Sequence, residues 1–390
     1  MRSIIVGIII GIVVGIMAGT TMVAPNLEEA REKSALAGAA GTEQLDLDGK
    51  TTETTQSNTE PLSIAASVYS KRLRVVSLTP PQTPVLGDLM LRIQQNLPRS
   101  TTGQIGISLL DPNVVGPTHE IFKAVQSGAI DAIFSTPAEL DNTSLVLKLF
   151  TSIPFGPESQ EYLAWFFHGG GRELLNEHMN KSGVHVLLCG LLPQEASGWY
   201  RKPMRTIEDF RDLKIRIQGL GADVLARLGA QVVSADLGTI LLRFEQGTLD
   251  AAEYSIPSID EPLGLQKFAR NYYVPGWHQP LTSYVLAFNK ETWKALSESQ
   301  QSTLQTICGD NVRYSLSAAD AAQFEALKKL SINGVQVRRW PEGFHPKFEA
   351  AWQDSIRDHI KNNRQFAKTW SSLQLFRRDY AIWQELSKPQ

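Results

Sequence analysis

The sequence predicts an α/β protein folded as two lobes and closed by long C-terminal helices. Three observations predict it. Residues 211–254 alternate strand and helix patterns in the order β-α-β-α-β, which implies a parallel sheet. A second such unit occupies residues 73–134. Residues 300–330 and 346–386 carry helical spacing almost throughout. Two units far apart in a chain of 390 residues leave room for two sizeable cores.

The elements follow in order. Residues 73–78 (LRVVSL) read as a strand, and 79–84 as a Pro-rich loop. A helix over 88–96, a strand over 104–110, a helix over 117–128 and a strand over 129–134 complete the first unit. Helices over 159–168 and 172–181 precede a strand at 184–188. Residues 214–218 alternate Lys, Ile, Arg, Ile, Gln, so Ile215 and Ile217 share one face and Arg216 takes the other. Gly219 and Gly221 end that strand. Val224, Leu225 and Leu228 then stand at helical spacing before Gly229 stops the helix. A short β-branched strand at 231–235, a helix over 239–246 and a strand over 249–253 follow. Residues 282–289 (TSYVLAFN) read as a long strand, 291–296 start a helix, and the last helical run breaks near Asn362 and Asn363. Parallel α/β sheets place ligand chemistry at strand ends. Arg216 and Glu253 sit at or near such ends, and a guanidinium is a planar donor fork suited to a carboxylate.

Residues 1–25 are almost wholly apolar, with Arg2 as their only charge; they read as a secretory signal peptide or a signal-anchor transmembrane helix. Residues 26–65 are rich in Thr, Glu, Gln and Gly and read as a disordered polar tether. The expected compartment is the periplasm, with inner-membrane tethering if the leader is uncleaved. A formal net charge of -2 and the lack of basic runs with interleaved aromatics argue against a nucleic-acid partner. Cys189 and Cys308 are read as separate buried thiols, with a disulfide as the alternative an oxidising compartment allows.

Enzyme signatures are weak. His168-Gly169-Gly170-Gly171 resembles an oxyanion loop, but no G-x-S-x-G nucleophile elbow accompanies it. No Walker loop, complete dinucleotide fingerprint, HExxH or CxxC is present. The seven histidines are scattered; His278 is the one to watch.

Several segments keep one order along the chain: 153–174 (IPFGPESQEYLAWFFHGGGREL), 197–203 (SGWYRKP), 211–254, with GTLDAAEY at its end, and 272–280 (YYVPGWHQP). Together they resemble the solute-binding subunits of tripartite ATP-independent periplasmic (TRAP) transporters, the DctP-like family, nearest to the branch that binds 2-oxo acids. The resemblance implies a class II-like two-lobe periplasmic binding protein fold. Lobe I would comprise 66–197 and 272–308, and lobe II 198–271 and 309–390 with the C-terminal helices. It also implies that Arg216 clamps a substrate carboxylate and that Na⁺ or Ca²⁺ bridges ligand and protein. The implied cation ligands are Glu195, Glu253, the backbone carbonyl of Tyr254, and Gln279. Glu195 departs from an expected Gln, and Gln279 from an expected Glu; Gln194 is the substitute if the loop shifts by one residue. Trp199, with Tyr200, Trp277 and Tyr284, would supply apolar walls, and Tyr254 a further ligand contact.

The expected function is capture of a small 2-oxo or 2-hydroxy monocarboxylate and its delivery to a membrane permease, without catalysis. The alternatives are a tethered carboxylate sensor, or a lyase or hydrolase using Glu195 and Glu253 as an acid–base pair. The apolar face of residues 348–386 packs on the chain's own lobes or, as the resemblance implies, in a homodimer through a swapped helix.

Overall fold

The structure is a computed structural model that describes residues 71–387. The expected leader (1–25) and tether (26–65) lie outside the described residues. The first unit is β1 (Lys71–Ser77), α1 (Leu86–Ser100), β2 (Ile105–Leu110), α2 (Thr118–Ser127) and β3 (Ala132–Ser135). Then come α3 (Leu145–Thr151), α4 (Ser159–His168), α5 (Gly171–Met179) and β4 (Val184–Leu192). The second unit holds β5 (Gly198–Tyr200), β6 (Lys214–Arg216), α6 (Gly219–Arg227), β7 (Gln231–Val233), α7 (Leu237–Glu245), β8 (Ala251–Ala252) and β9 (Asn271–Tyr273). The chain closes with β10 (Thr282–Asn289), α8 (Glu298–Ile332), β11 (Gln336–Arg338), α9 (Phe344–Asn362) and α10 (Arg364–Leu386).

These strands form two sheets. The first has the order β2-β1-β3-β10-β4, with β1 parallel to β2 and β3, and β10 antiparallel to β3 and β4. All eight residues of β10 are buried, because it is paired on both edges and covered on both faces. Such a strand reads as a continuous apolar run rather than as an alternation. The second sheet has the order β11-β9-β5-β8-β6-β7; β6 is parallel to β7 and β8, as the β-α-β-α-β reading requires. β5 is antiparallel to β8 and β9.

Two segments, 193–197 and 274–281, cross between the sheets. They are hydrogen-bonded to each other: Ser197 N–H donates to the Tyr273 carbonyl (2.7 Å), Gly276 N–H to Glu195 O (2.7 Å) and Glu195 N–H to Gln279 O (3.0 Å). The crossing is therefore a two-stranded ribbon. A Cβ at Gly276 would lie 2.6 Å from the Glu195 carbonyl oxygen, so only glycine lets the two backbones come this close.

Helix α8 begins on a Ser297–Gln300 capping box and runs 35 residues, roughly 50 Å. Its first half lies on α1 and the first sheet: Asn311 Nδ2 donates to Leu89 O of α1 (3.0 Å) and Ser315 Oγ accepts from Leu191 N–H of β4 (2.9 Å). Its second half reaches the other lobe: Gln323 Oε1 accepts from Ser258 N–H (3.0 Å), and Leu330 joins the core around Phe244 and Tyr272. Cys189 on β4 and Cys308 on α8 form a disulfide, not separate thiols. Packing of α8 over β4, with Cys189 beside Cys308 and Leu191 beside Ser315, brings together residues 119 apart in sequence, and nothing local signals it.

The C-terminal helices divide between the lobes rather than staying with the second. α9 packs on α6, where His359 Nε2 meets Asp223 Oδ2 at 2.9 Å. Asn363 caps α10 by accepting from Phe366 N–H (2.9 Å), which places the break where the paired asparagines predict it. α10 then packs on α3, α4 and α5 of the first lobe, with Arg377 Nη1 donating to Phe155 O (3.0 Å). No helix among the described residues is long and apolar enough to cross a membrane.

Candidate functional site

The ribbon carries one side of the site and the second sheet carries the other. Arg216 is the last residue of β6, and Glu253 follows β8, its parallel neighbour, so both side chains emerge at the same sheet edge. Both are buried, at 7% and 1% exposure. Arg216 Nη1 donates to the Glu253 carbonyl (2.6 Å) and to Glu253 Oε2 (3.3 Å), and Nε donates to Ala235 O (3.2 Å). Nη2 makes no hydrogen bond to the described residues, which leaves one arm of the fork for an incoming anion. The guanidinium lies 5.4 Å from the centre of the half-buried Tyr254 ring.

Glu195 and His278 arrive from the two crossing segments. His278 Nε2 lies 3.6 Å from Glu253 Oε1, beyond hydrogen-bond distance. Helix α6 presses on this imidazole from behind. A Cβ at Gly221 would be 2.7 Å from His278 Cβ, so the GLG segment read as a turn is instead the close-packed start of a helix. Donor atoms of Glu195, Glu253 and His278 lie within 4.8 Å of one another, and all three residues are buried.

Electrostatics mark this cluster. Burial, then the neighbouring Glu253, pushes the Glu195 carboxyl well above the usual range. Burial acts the same way on Glu253, but His278 and Arg216 outweigh it and hold that carboxyl below its ordinary value. Glu195 Oε2, Glu253 Oε1 and both ring nitrogens of His278 are buried without a hydrogen-bond partner. Buried polar atoms are normally satisfied, so orphaned donors converging on one point are what a cation site requires. Two carboxylates suit a hard cation such as Ca²⁺ or Na⁺, and the imidazole adds a nitrogen donor.

Other expected residues stand elsewhere. Gln194 alternates away from Glu195 in the extended linker: its amide donates to Gly276 O (3.2 Å), and it lines a separate groove of about 240 Å³ with Phe155, Trp277 and His345. Gln279 does not reach the cluster; its amide donates to Thr282 Oγ1 (3.0 Å), which in turn donates to Glu195 Oε1. Trp199 packs into the core of the second lobe. It is fully buried in the second lobe, 4.2 Å from the Tyr272 ring centre, because three-residue β5 turns it onto α7. Tyr200 and Trp277 pack against Trp340 and Phe348, and Tyr284 against Phe134.

Asp260 escapes sequence reasoning, since a lone carboxylate in a one-turn helix carries no pattern. Its Oδ2 accepts from Trp199 Nε1 (3.1 Å) and Tyr272 OH (2.9 Å), while Oδ1 is unpartnered. Burial outweighs those bonds and pushes its pKa up to about 7 from 3.8. The folded protein thus holds a proton that the unfolded chain releases. Its contribution is full below about pH 4 and is lost as pH rises to about 7, on the order of 4 kcal/mol across the window. Asp260→Asn is expected to raise the melting midpoint of chelator-treated protein at pH 8 and to flatten the pH 4–7 slope. A wild-type slope in the variant would exclude Asp260 as the titrating group.

Two α/β lobes joined by a hydrogen-bonded ribbon, with a half-free arginine fork beside converging carboxylates, define a two-lobe receptor for a small anion. The chain belongs to the bacterial extracellular solute-binding protein family 7 (DctP), which it matches over residues 75–363; it is a periplasmic solute-binding protein of TRAP type. It is 27% identical over 336 residues to a monocarboxylate 2-oxoacid-binding periplasmic protein of Nostoc sp., covering 86% of this chain and 91% of that one. A TRAP solute-binding protein of Bordetella bronchiseptica, a mixed-occupancy dimer with calcium and picolinate, superposes with a TM-score of 0.77 at 27% identity, over 82% of this chain and 95% of that one. The Colwellia psychrerythraea protein with bound calcium and pyruvate gives 0.76 at 26%, over 81% and 97%. The Pseudoalteromonas atlantica protein with sodium and pyruvate gives 0.74 at 25%, over 81% and 97%.

Proposed function

We propose that this receptor captures a 2-oxo or 2-hydroxy monocarboxylate together with Ca²⁺ or Na⁺ and presents it to a membrane permease without chemical change. The observation that carries the reading is the cluster of buried, unpartnered Glu195, Glu253 and His278 atoms beside the free arm of Arg216. Arg216 takes the substrate carboxylate. Glu195, Glu253 and the Tyr254 carbonyl hold the cation, with His278 alongside. The cation supplies positive charge that lets two carboxylates and a carboxylic-acid anion share one dry site. Ligand bridges the lobe built on the first sheet to the lobe built on the second, and the closed form is what the permease reads. Residues 1–25 serve as export signal or membrane anchor, and 26–65 as tether.

The sequence departures favour the divalent ion, because Glu195 adds a charge that a glutamine would not. A homodimer through α10 is supported by the exposure of Leu375, Ile382, Trp383 and Leu386 along that helix.

A thermal-shift screen of protein lacking residues 1–65 tests the reading, using 2-oxo, 2-hydroxy and dicarboxylic acids with Na⁺, Ca²⁺ or chelator. Ligand at about 100 times its Kd stabilises by ~2.7 kcal/mol. The expected result is a cation-dependent shift with a monocarboxylate, release of that acid unchanged by NMR, and dimer mass on a sizing column. A shift indifferent to chelator, or turnover of the acid, would overturn the receptor reading; monomer mass would remove the dimer.

A further inference from the structure

Gln279 and Thr282 form a polar chain that ends on Glu195. The Gln279 amide nitrogen lies 3.0 Å from Thr282 Oγ1, and the Thr282 hydroxyl donates to Glu195 Oε1. An amide N–H₂ can only donate, so it occupies a lone pair of the threonine oxygen. The single hydroxyl proton of Thr282 is thereby directed to Glu195. Thr282 is the first residue of β10 and pairs with Leu192 at the end of β4, three residues before Glu195. The relay is thus mounted on two paired strands of the first sheet, and Glu195 N–H is itself fixed on the Gln279 carbonyl (3.0 Å). Thr282 and Glu195 are both nine-tenths buried or more. One Glu195 oxygen is consumed by the relay, and the other, Oε2, is left without a partner beside Glu253 and His278.

We infer that Gln279 and Thr282 are positioning residues that hold Glu195 with one oxygen satisfied and one aimed at the cation. The inference rests on the cation reading above. The identity of residue 279 is then tied to that of residue 195. A carboxylate at 279 would compete for the Thr282 proton and release Glu195 Oε1; a carboxamide at 195 could meet that rearrangement with its own N–H₂. Two pairings are therefore self-consistent: the carboxylate at 195 with the carboxamide at 279, as in this chain, and the reverse arrangement. Only the first places two carboxylates, Glu195 and Glu253, in the cluster, so it is the pairing that prefers a divalent ion.

The test is calorimetric titration of chelator-treated protein with Ca²⁺ in the presence of pyruvate, alongside the melting midpoint of the cation-free protein. Thr282→Val and Gln279→Glu are each expected to weaken Ca²⁺ about tenfold or more, the worth of a charge-assisted hydrogen bond. Thr282→Ser is expected to bind like wild type. The double variant Glu195→Gln with Gln279→Glu is expected to bind more tightly than Gln279→Glu alone and to lose its preference for Ca²⁺ over Na⁺. Unchanged Ca²⁺ affinity in Thr282→Val, with wild type binding normally, would overturn the positioning role. A Thr282→Val loss matched by Thr282→Ser, or tracking a fall in the cation-free midpoint, would make it merely structural. No Ca²⁺ or Na⁺ binding by wild type would remove the cation reading and the relay together.

Discussion

Replacing Arg216 with alanine is expected to abolish carboxylate binding while the two lobes still fold. The substitution removes the guanidinium of the cluster and with it the fork arm that makes no hydrogen bond to the described residues. It also takes a neutralising charge from Glu253, which is 1% exposed. Truncating one partner of a buried, hydrogen-bonded charge pair between protein and ligand costs roughly 2–5 kcal/mol, a loss of at least about thirtyfold in Kd. Arg216→Lys restores charge but not the planar fork, and is expected to recover little. Calorimetry with the acid found by the thermal screen, and circular dichroism of the variant, check both halves. Near-wild-type affinity in Arg216→Ala would take the residue out of the site.

The second large effect concerns stability. Replacing Cys189 and Cys308 by alanine opens a covalent loop with a sequence separation of 119. Loop-closure entropy puts the loss at about 4–5 kcal/mol, half or more of a typical domain's stability. The bond joins β4 to the first half of α8, so the loss falls on the contact between that helix and the first sheet. Chemical denaturation of the double variant, and of wild type with and without reductant, measures it. A midpoint indifferent to reductant would mean the bond adds nothing.

Sequence reasoning succeeded where a segment carries its own period. Thr282–Asn289 and Ser159–His168 emerge with the bounds their patterns predict, and the two strand–helix units fall in the two sheets. It failed where the determinant is nonlocal. Strands β5, β9 and β11 have three residues each, too few to show a period. Trp199 and Tyr284 have the composition of a cleft wall, yet their orientation depends on strands paired from distant parts of the chain. Cys189 and Cys308 meet only through the packing of α8. In the site, Arg216 was legible as the polar member of an alternating strand and Glu253 as a carboxylate at a strand end, whereas Glu195 came from resemblance. Thr282 and Asp260 had no signal, because each matters only through what the fold sets beside it. Gln194 and Gln279 show the same limit: a one-residue alternation sends the first away from the cluster, and one hydroxyl separates the second from it.

The hydrogen-bonded pairing of 193–197 with 274–281 bears on how closing is paid for. Two independent single-chain linkers would let the lobes slide, twist and separate as well as bend. A two-stranded ribbon resists most of those displacements and remains supple mainly to flexure across its plane. Helix α8 spans the same two lobes, so any opening must bend the ribbon and shift that helix together; a receptor so constrained forfeits less rotational entropy on closing, which leaves more of the contact free energy to appear as affinity.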